Sequence, residues 1–92
     1  MIRSFKCADT EALFVAGKAK RFAHIKSVAE RKLTQLHAAA TLDSLRAPPG
    51  NRLEALTGDR QGQHSIRIND QWRLCFVWSA EGVWDVEIVD YH

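Results

Sequence analysis

The C-terminal end of the chain carries three side chains suited to acid–base chemistry. Asp90, Tyr91 and His92 follow an alternating apolar run and close the sequence. Histidine exchanges a proton near neutral pH, a carboxylate can orient it, and a tyrosine ring can stack on an unpaired base. Polar residues at a chain end are also commonly just solvated. On the residues alone, both interpretations stay open.

A second candidate is an arginine inside the segment QWRLCFVW. Alternation along this segment places Trp72, Leu74 and Phe76 on one face and Arg73 on the other. A guanidinium held on a rigid strand is well placed to bind an anion. The alternative is a surface arginine whose aliphatic stem packs on its neighbours.

Together, Arg73 and the terminal residues suit cleavage of RNA without a metal. The 2′-hydroxyl can attack the adjacent phosphate when a base takes its proton, a cation holds the phosphoryl oxygens and an acid serves the leaving oxygen. His92 would be the base and Arg73 the cation. The histidines show no HxxxH or HExxH spacing and the cysteines form no CxxC pair, so we expect no metal and no other cofactor.

The net positive charge of the chain is small, but its basic residues are unevenly distributed. The formal net charge is only +2, but six basic residues and one acid lie between Lys18 and Lys32, and every later basic residue is an arginine. Such charges either solvate a surface or bind phosphates, and arginine binds phosphate bidentately. The candidate contacts to a phosphate backbone are Lys18, Lys20, Arg21, Lys26, Arg52 and Arg67.

The N-terminal half predicts a short strand and two helices. Alternation in MIRSF predicts the strand, and Asp9 or Thr10 is placed to cap a helix that ends near Gly17. The basic segment KAKRF has no pattern and is expected to be mobile. Apolar residues at helical spacing predict a second helix: Ile25, Val28, Ala29, Leu33, Leu36 and Ala40.

The C-terminal half changes to strand periodicity. The segments NRLEAL, QHSIRI, QWRLCFVW and VWDVEIVDYH are predicted strands, separated by turns rich in glycine, asparagine and aspartate. An α+β fold follows, in which an N-terminal edge strand and two helices pack on a twisted, mostly antiparallel sheet. The helices should cover the face of Trp72, Leu74 and Phe76 and leave the other face open.

Length and composition indicate one domain, residues 1–92, with a single small core. The two cysteines are typical of reduced thiols, and the N-terminus lacks the apolar core of a signal peptide. No stretch approaches the roughly 20 apolar residues of a membrane span. We therefore expect a cytoplasmic protein without membrane contact.

The segment LTGDRQGQHSIRINDQWRLCFVW and the terminal VEIVDYH resemble the HigB-type toxins of the RelE superfamily, in particular their GraT-like branch. The opening MIRSF and the length fit as well, so the resemblance covers the whole chain. It implies a compact RelE-like domain that acts as the toxin of a type II toxin–antitoxin system. Such toxins are ribosome-dependent endoribonucleases that cleave mRNA in the 30S A site and inhibit translation. A HigA-like helix-turn-helix antitoxin neutralises them and provides their only link to operator DNA.

The resemblance also implies roles for individual residues. Arg73 would stabilise the phosphoryl charge and His92 would act as general base, while Asp90 and Tyr91 would orient and stack the substrate. Arg60 would lie in the loop that faces the RNA. The sequence departs from the family pattern at Thr57, where a lysine that contributes to catalysis commonly precedes GDR.

Two alternatives remain on the same fold. A ParE-type toxin would bind gyrase and cut no RNA, but such a binder needs neither Arg73 nor the terminal DYH. A co-regulator would only contact nucleic acid or an antitoxin. Strand alternation also raises a geometric difficulty, because Asp90 and His92 fall on one face and Tyr91 on the other. A twist or bulge at the end of the strand would be needed to bring all three together.

Overall fold

Four strands form an antiparallel meander in the computed structural model, which describes residues 1–90. Predictions that fall on Tyr91 and His92 lie outside this range. The strand order follows the chain, and two helices precede the sheet, which confirms the predicted α+β class. The elements are α1 (Ala8–Ala16), α2 (Lys26–Ala38), β1 (Glu54–Ala55), β2 (His64–Arg67), β3 (Trp72–Ser79) and β4 (Gly82–Asp90).

The two faces of the sheet follow the alternation of the sequence. Leu74 and Phe76 are fully buried on the face that meets the helices, and Trp72 is nearly so. Ile66 and Ile88 pair with Leu74 from the neighbouring strands and join the same core. The predicted helix-covered face is therefore confirmed.

A bulge in β4 changes its register to β3. Cys75 pairs with Glu87 but Val77 pairs with Trp84, so β4 has one more residue than β3 between these two pairs. Asp85 takes up the extra residue with a φ of +54°. This insertion lets both Val83 and Val86 point into the core, where they are fully buried.

The first residues extend the sheet beyond β4 in parallel orientation. Ile2 bridges to Val83 and Phe5 bridges to Val86, and these are isolated bridges rather than a continuous strand. The interruption coincides with the bulge, where the amide of Asp85 donates to the hydroxyl of Ser4 at 2.8 Å. The predicted edge position is correct, but the predicted regular strand is wrong because the bulged partner cannot pair continuously.

The start of α1 differs from the prediction. The N-cap is Cys7, which makes no side-chain capping bond within residues 1–90, so neither Asp9 nor Thr10 caps the helix. Thr10 is fully buried, and its hydroxyl accepts the amide of Ile88 at 3.0 Å. The helix ends as predicted, with Gly17 in the left-handed conformation at φ +67°.

The segment between the helices is held by the core. Phe22 is fully buried and meets Trp72 edge to face with ring centroids 5.7 Å apart. The aromatic residue at the end of the KAKRF segment is thus packed under the sheet, and the mobility of the preceding basic residues stays a prediction. In α2, Ala29, Leu33 and Leu36 are fully buried, as the helical spacing predicted. No helix in the described part of the chain has the length and apolar character needed to span a bilayer.

The face of the sheet turned away from the helices is not open, contrary to expectation. Ser65 and Cys75 are fully buried on this outer face. The connection between α2 and β2 turns back across it after Pro48 and Pro49, so that Arg52, Glu54 and Arg60 come to lie there. The covered part of the outer face includes the partly buried charged side chains of Arg60, Arg73 and Glu87.

Candidate active site

Arg73 lies on the outer face and is held by hydrogen bonds to two neighbouring segments. Its Nε donates to the hydroxyl of Ser65 at 2.8 Å, and one Nη donates to the carbonyl of Arg52 at 2.7 Å. The side chain is only 11% exposed. A guanidinium fixed by two bonds from a strand loses little further entropy on binding an anion, so its position is preorganised.

Three neighbouring elements supply the surroundings of Arg73. Ser65 comes from β2, where it pairs with Glu54 of β1 on one side and Cys75 of β3 on the other. This register brings the Glu54 carboxylate to 4.0 Å from the arginine. Glu54 is half exposed and its contact is long, so it screens the charge of Arg73 without neutralising it firmly.

A second arginine stands beside the first. Arg60 ends the short helical turn Gly58–Arg60 and donates to Glu87 of β4 at 2.8 Å and to Gln63 at 3.1 Å. Lys6 approaches the same Glu87 oxygen at 4.0 Å. The Arg60 and Glu87 side chains are 32% and 17% exposed, so this ion pair is partly shielded from water.

Cys75 lies between these charges. It pairs with Ser65 and with Glu87 in the sheet and is fully buried. Burial raises the pKa of the Cys75 thiol, and the nearby charges of Arg60 and Arg73 work against that rise. Burial and the raised pKa of Cys75 both favour the neutral thiol.

The four charged side chains form what we call the outer-face cluster: Arg60, Arg73, Glu54 and Glu87. The charges of the two arginines and the two carboxylates cancel. An incoming phosphate must therefore compete with the carboxylates for the N–H donors of the arginines. Such a cluster can bind and polarise a phosphodiester, with Arg73 as the better fixed of its two cations.

Asp90 does not face Arg73. It pairs directly with Trp72 across the strands, whereas Arg73 pairs with Val89, and directly paired residues share a face. Asp90 is therefore on the helix side at the end of the sheet, where it is exposed and accepts from Gln71 Nε2 at 3.2 Å. Alternation predicted that a twist or bulge at the end of β4 would be needed to bring Asp90, Tyr91 and His92 together. The bulge lies earlier, at Asp85, and the register from Glu87 to Asp90 is regular.

The other predicted basic contacts fall into two groups. Lys18, Lys20 and Lys26 are exposed. Arg21 is also exposed, donates to Asp9 at 3.4 Å and lies over the Phe22 ring at 5.1 Å. They lie in the segment that joins α1 to the start of α2.

Arg52 and Arg67 belong to the outer face instead. Arg67 pairs with Arg73 in the sheet and forms an ion pair with Asp70. Arg52 touches the cluster through its backbone carbonyl, and its side chain is exposed.

Thr57 lies next to the cluster but outside its contacts. It is exposed and precedes the turn of Arg60, whose amide donates to the Thr57 carbonyl at 3.2 Å. Sequence reasoning missed Glu54, Ser65 and Glu87. Strand alternation in β4 could have predicted that Glu87 lies on the outer face. The contact of Glu54 depends on the path of the preceding loop, which no local sequence pattern predicts.

Comparison with known proteins identifies the chain with one class of small toxin. A family model for RelE-like toxins of the type II toxin–antitoxin system HigB matches residues 3–92. The chain therefore belongs to the HigB-like toxin family, and the resemblance described above is confirmed.

Two relatives match part of the chain. The toxin HigB-1 of Vibrio cholerae serotype O1 is 49% identical over 59 residues, which cover 64% of this chain and 61% of that protein. An uncharacterized protein of Haemophilus influenzae is 37% identical over 60 residues, or 65% of this chain and 59% of its own length. The matches thus span about three fifths of each relative.

Proposed function

We propose that this toxin is an endoribonuclease that cleaves mRNA in the A site of the ribosome without a metal. The observation that carries the proposal is the preorganised Arg73 on the outer face, with Arg60 beside it. The described end of β4 lies next to it, since Val89 pairs with Arg73 and the chain continues into Tyr91 and His92.

The proposed reaction is an intramolecular phosphoryl transfer. His92 takes the proton of the 2′-hydroxyl, the 2′-oxygen forms a bond to phosphorus, and the bond from phosphorus to the 5′-oxygen breaks. Arg73 binds the phosphoryl oxygens as their charge grows, the leaving 5′-oxygen takes a proton from water, and His92 then releases its proton to the solvent. The products are a 2′,3′-cyclic phosphate and a 5′-hydroxyl. Tyr91 stacks on a base of the codon, and Asp90 orients a neighbouring group from the end of β4.

The ribosome and an antitoxin are the proposed partners. Exposed basic residues in the segment from Lys18 to Lys26 bind the phosphate backbone of ribosomal RNA, and Arg60 and Arg67 contact the mRNA. A HigA-like helix-turn-helix antitoxin neutralises the toxin and carries it to operator DNA. The cytoplasm, where ribosomes translate, is the proposed location.

The test is primer extension on mRNA in a translation reaction with purified ribosomes. The native chain should cut within the A-site codon. We expect Arg73→Ala to lower the single-turnover rate by roughly 10²–10³-fold and His92→Gln by roughly 10²–10⁴-fold. Arg73→Lys should recover only part of the loss, because an ammonium replaces neither the Ser65 bond nor the planar fork.

Arg46→Ala is the matched control. This arginine is exposed, and within residues 1–90 its ion pair is a local one with Asp43 at 2.7 Å, inside the turn Asp43–Arg46. Its loss should leave the rate unchanged. Absence of A-site cuts by the native chain, together with inhibition of DNA supercoiling by gyrase, would overturn the proposal in favour of a ParE-type activity.

A further inference from the structure

A buried polar cluster joins α2 to the loop before β1. Asn51 is fully buried and Lys32 of α2 is 8% exposed. The Lys32 ammonium donates to the Asn51 side-chain oxygen. The Asn51 amide nitrogen donates in turn to Gln35 Oε1 and to the carbonyl of Leu45, each at 3.1 Å. Asn51 therefore ties the helix to both ends of the proline-rich turn.

The ammonium in this cluster has an amide as its partner. Among residues 1–90 no carboxylate lies within ion-pair distance of Lys32. Burial lowers the pKa of Lys32, and the charges of Arg31 and Arg67 lower it further. A buried cation without a counter-charge disfavours folding. The contact between Lys32 and Asn51 instead fixes the position of Asn51.

The residue that follows Asn51 in the chain connects it to the candidate site. Arg52 follows Asn51 and adopts the left-handed conformation at φ +46°. In this conformation its carbonyl accepts from Arg73 at 2.7 Å. Two residues further on, Glu54 pairs with Ser65, the other hydrogen-bond partner of Arg73. A shift of the Asn51 backbone would move the Arg52 carbonyl first.

We infer that Asn51, held by Lys32, is a positioning residue for Arg73 and fixes the guanidinium through the Arg52 carbonyl. The inference rests on the proposed function for its kinetic consequence. Its structural consequence does not depend on cleavage. Asn51 and Lys32 are proposed to touch no substrate themselves, because both are buried.

The first test measures, by NMR, hydrogen exchange at the ¹⁵N-labelled Nη–H of Arg73 that donates to the Arg52 carbonyl. In Asn51→Ala we expect this proton to exchange about five- to tenfold faster, the change produced by losing about one hydrogen bond. Lys32→Met, which keeps the length of the side chain, should act in the same direction. Thr34→Ala changes an exposed side chain of the same helix, outside the contact between Lys32 and Asn51, and should change nothing.

Unchanged exchange in a folded Asn51→Ala protein overturns the inference. If Asn51→Ala does not fold, Lys32→Met decides by the same criterion. Faster exchange in proteins that never cleave RNA would support the positioning role and overturn the proposed function instead. The two ideas therefore fail on different measurements.

The second test is a double-mutant cycle on cleavage. Asn51→Ala should lower the single-turnover rate at saturating ribosome by roughly 10- to 100-fold, as expected for a displacement of a fraction of an ångström to one ångström. The ribosome concentration at half-saturation should not change. In an Arg73→Ala background the same substitution should cost no further rate, because it acts through Arg73. A full additional loss in that background overturns the inference.

Discussion

Glu87→Gln is the most informative single change in the outer-face cluster. The carboxylate binds Arg60 at 2.8 Å, and glutamine keeps the oxygen that accepts this bond while removing the negative charge. Arg60 should therefore stay in place and become available to a phosphate. We expect tighter binding to programmed ribosomes, with Arg60 now the main source of the gain.

The size of the effect follows from the distance between the competing anions. A phosphate bound to Arg60 on the side away from Glu87 would lie about 7 Å from that carboxylate, given two charge-assisted hydrogen bonds of ordinary length. At an effective dielectric constant near 20, two unit charges repel by roughly 2 kcal/mol at that separation. Because the Arg60 side chain is one third exposed, water and salt reduce this to about 1 kcal/mol, or about fivefold in affinity.

The assay is fluorescence anisotropy of labelled toxin with ribosomes whose A-site codon contains 2′-deoxynucleotides. Such an mRNA lacks the attacking hydroxyl, so binding is measured without cleavage. Glu81→Gln is the control, because it removes an equal charge from an exposed position in the turn before β4. If Glu87→Gln binds equally or more weakly than the native chain, Glu87 does not compete with phosphate and instead holds Arg60 in its working position.

Two further predictions concern residues that surround the cluster. Thr57→Lys should raise the single-turnover cleavage rate by at least about tenfold, since a preorganised charge contributes roughly 10²–10³-fold and an exposed, mobile ammonium contributes less. An equal or slower rate would mean that Arg60 already supplies this charge. Replacing Lys18, Lys20 and Arg21 with glutamine should weaken ribosome binding and flatten its dependence on salt, with the saturated rate unchanged. A large loss in that saturated rate would place these residues in the chemistry instead.

Periodicity predicted those parts of the fold in which burial alone decides the conformation. The alternation of QWRLCFVW placed Leu74 and Phe76 in the core and Arg73 outside it, as the structure shows. The apolar spacing of α2 was correct for Ala29, Leu33 and Leu36, but the predicted Ala40 is exposed and lies beyond the end of the helix. In both cases one face of a regular element must leave water, so the sequence carries the signal locally.

Contacts between distant segments could not be predicted in this way. Arg60 and Glu87 are 27 residues apart in the chain, and neither residue type indicates the other as its partner. The bulge at Asp85 has no glycine at the position of positive φ, so the sequence did not predict it. Thr10 has a side chain typical of a helix cap, but tertiary packing uses its hydroxyl elsewhere. Each of these features depends on how the elements meet rather than on a local pattern.

The bond from Ile88 to Thr10 also bears on how the protein avoids unwanted association. The N-terminal segment pairs with β4 only as far as Val86, whose carbonyl accepts from Lys6 at 3.0 Å. The amide of Ile88 would be the next donor on that side of the strand, and an exposed row of such donors recruits strands from other molecules. The hydroxyl of Thr10 occupies this donor at 3.0 Å. A side chain from α1 thus closes the edge where backbone pairing ends, and it blocks the addition of a foreign strand next to the residues proposed to cut RNA.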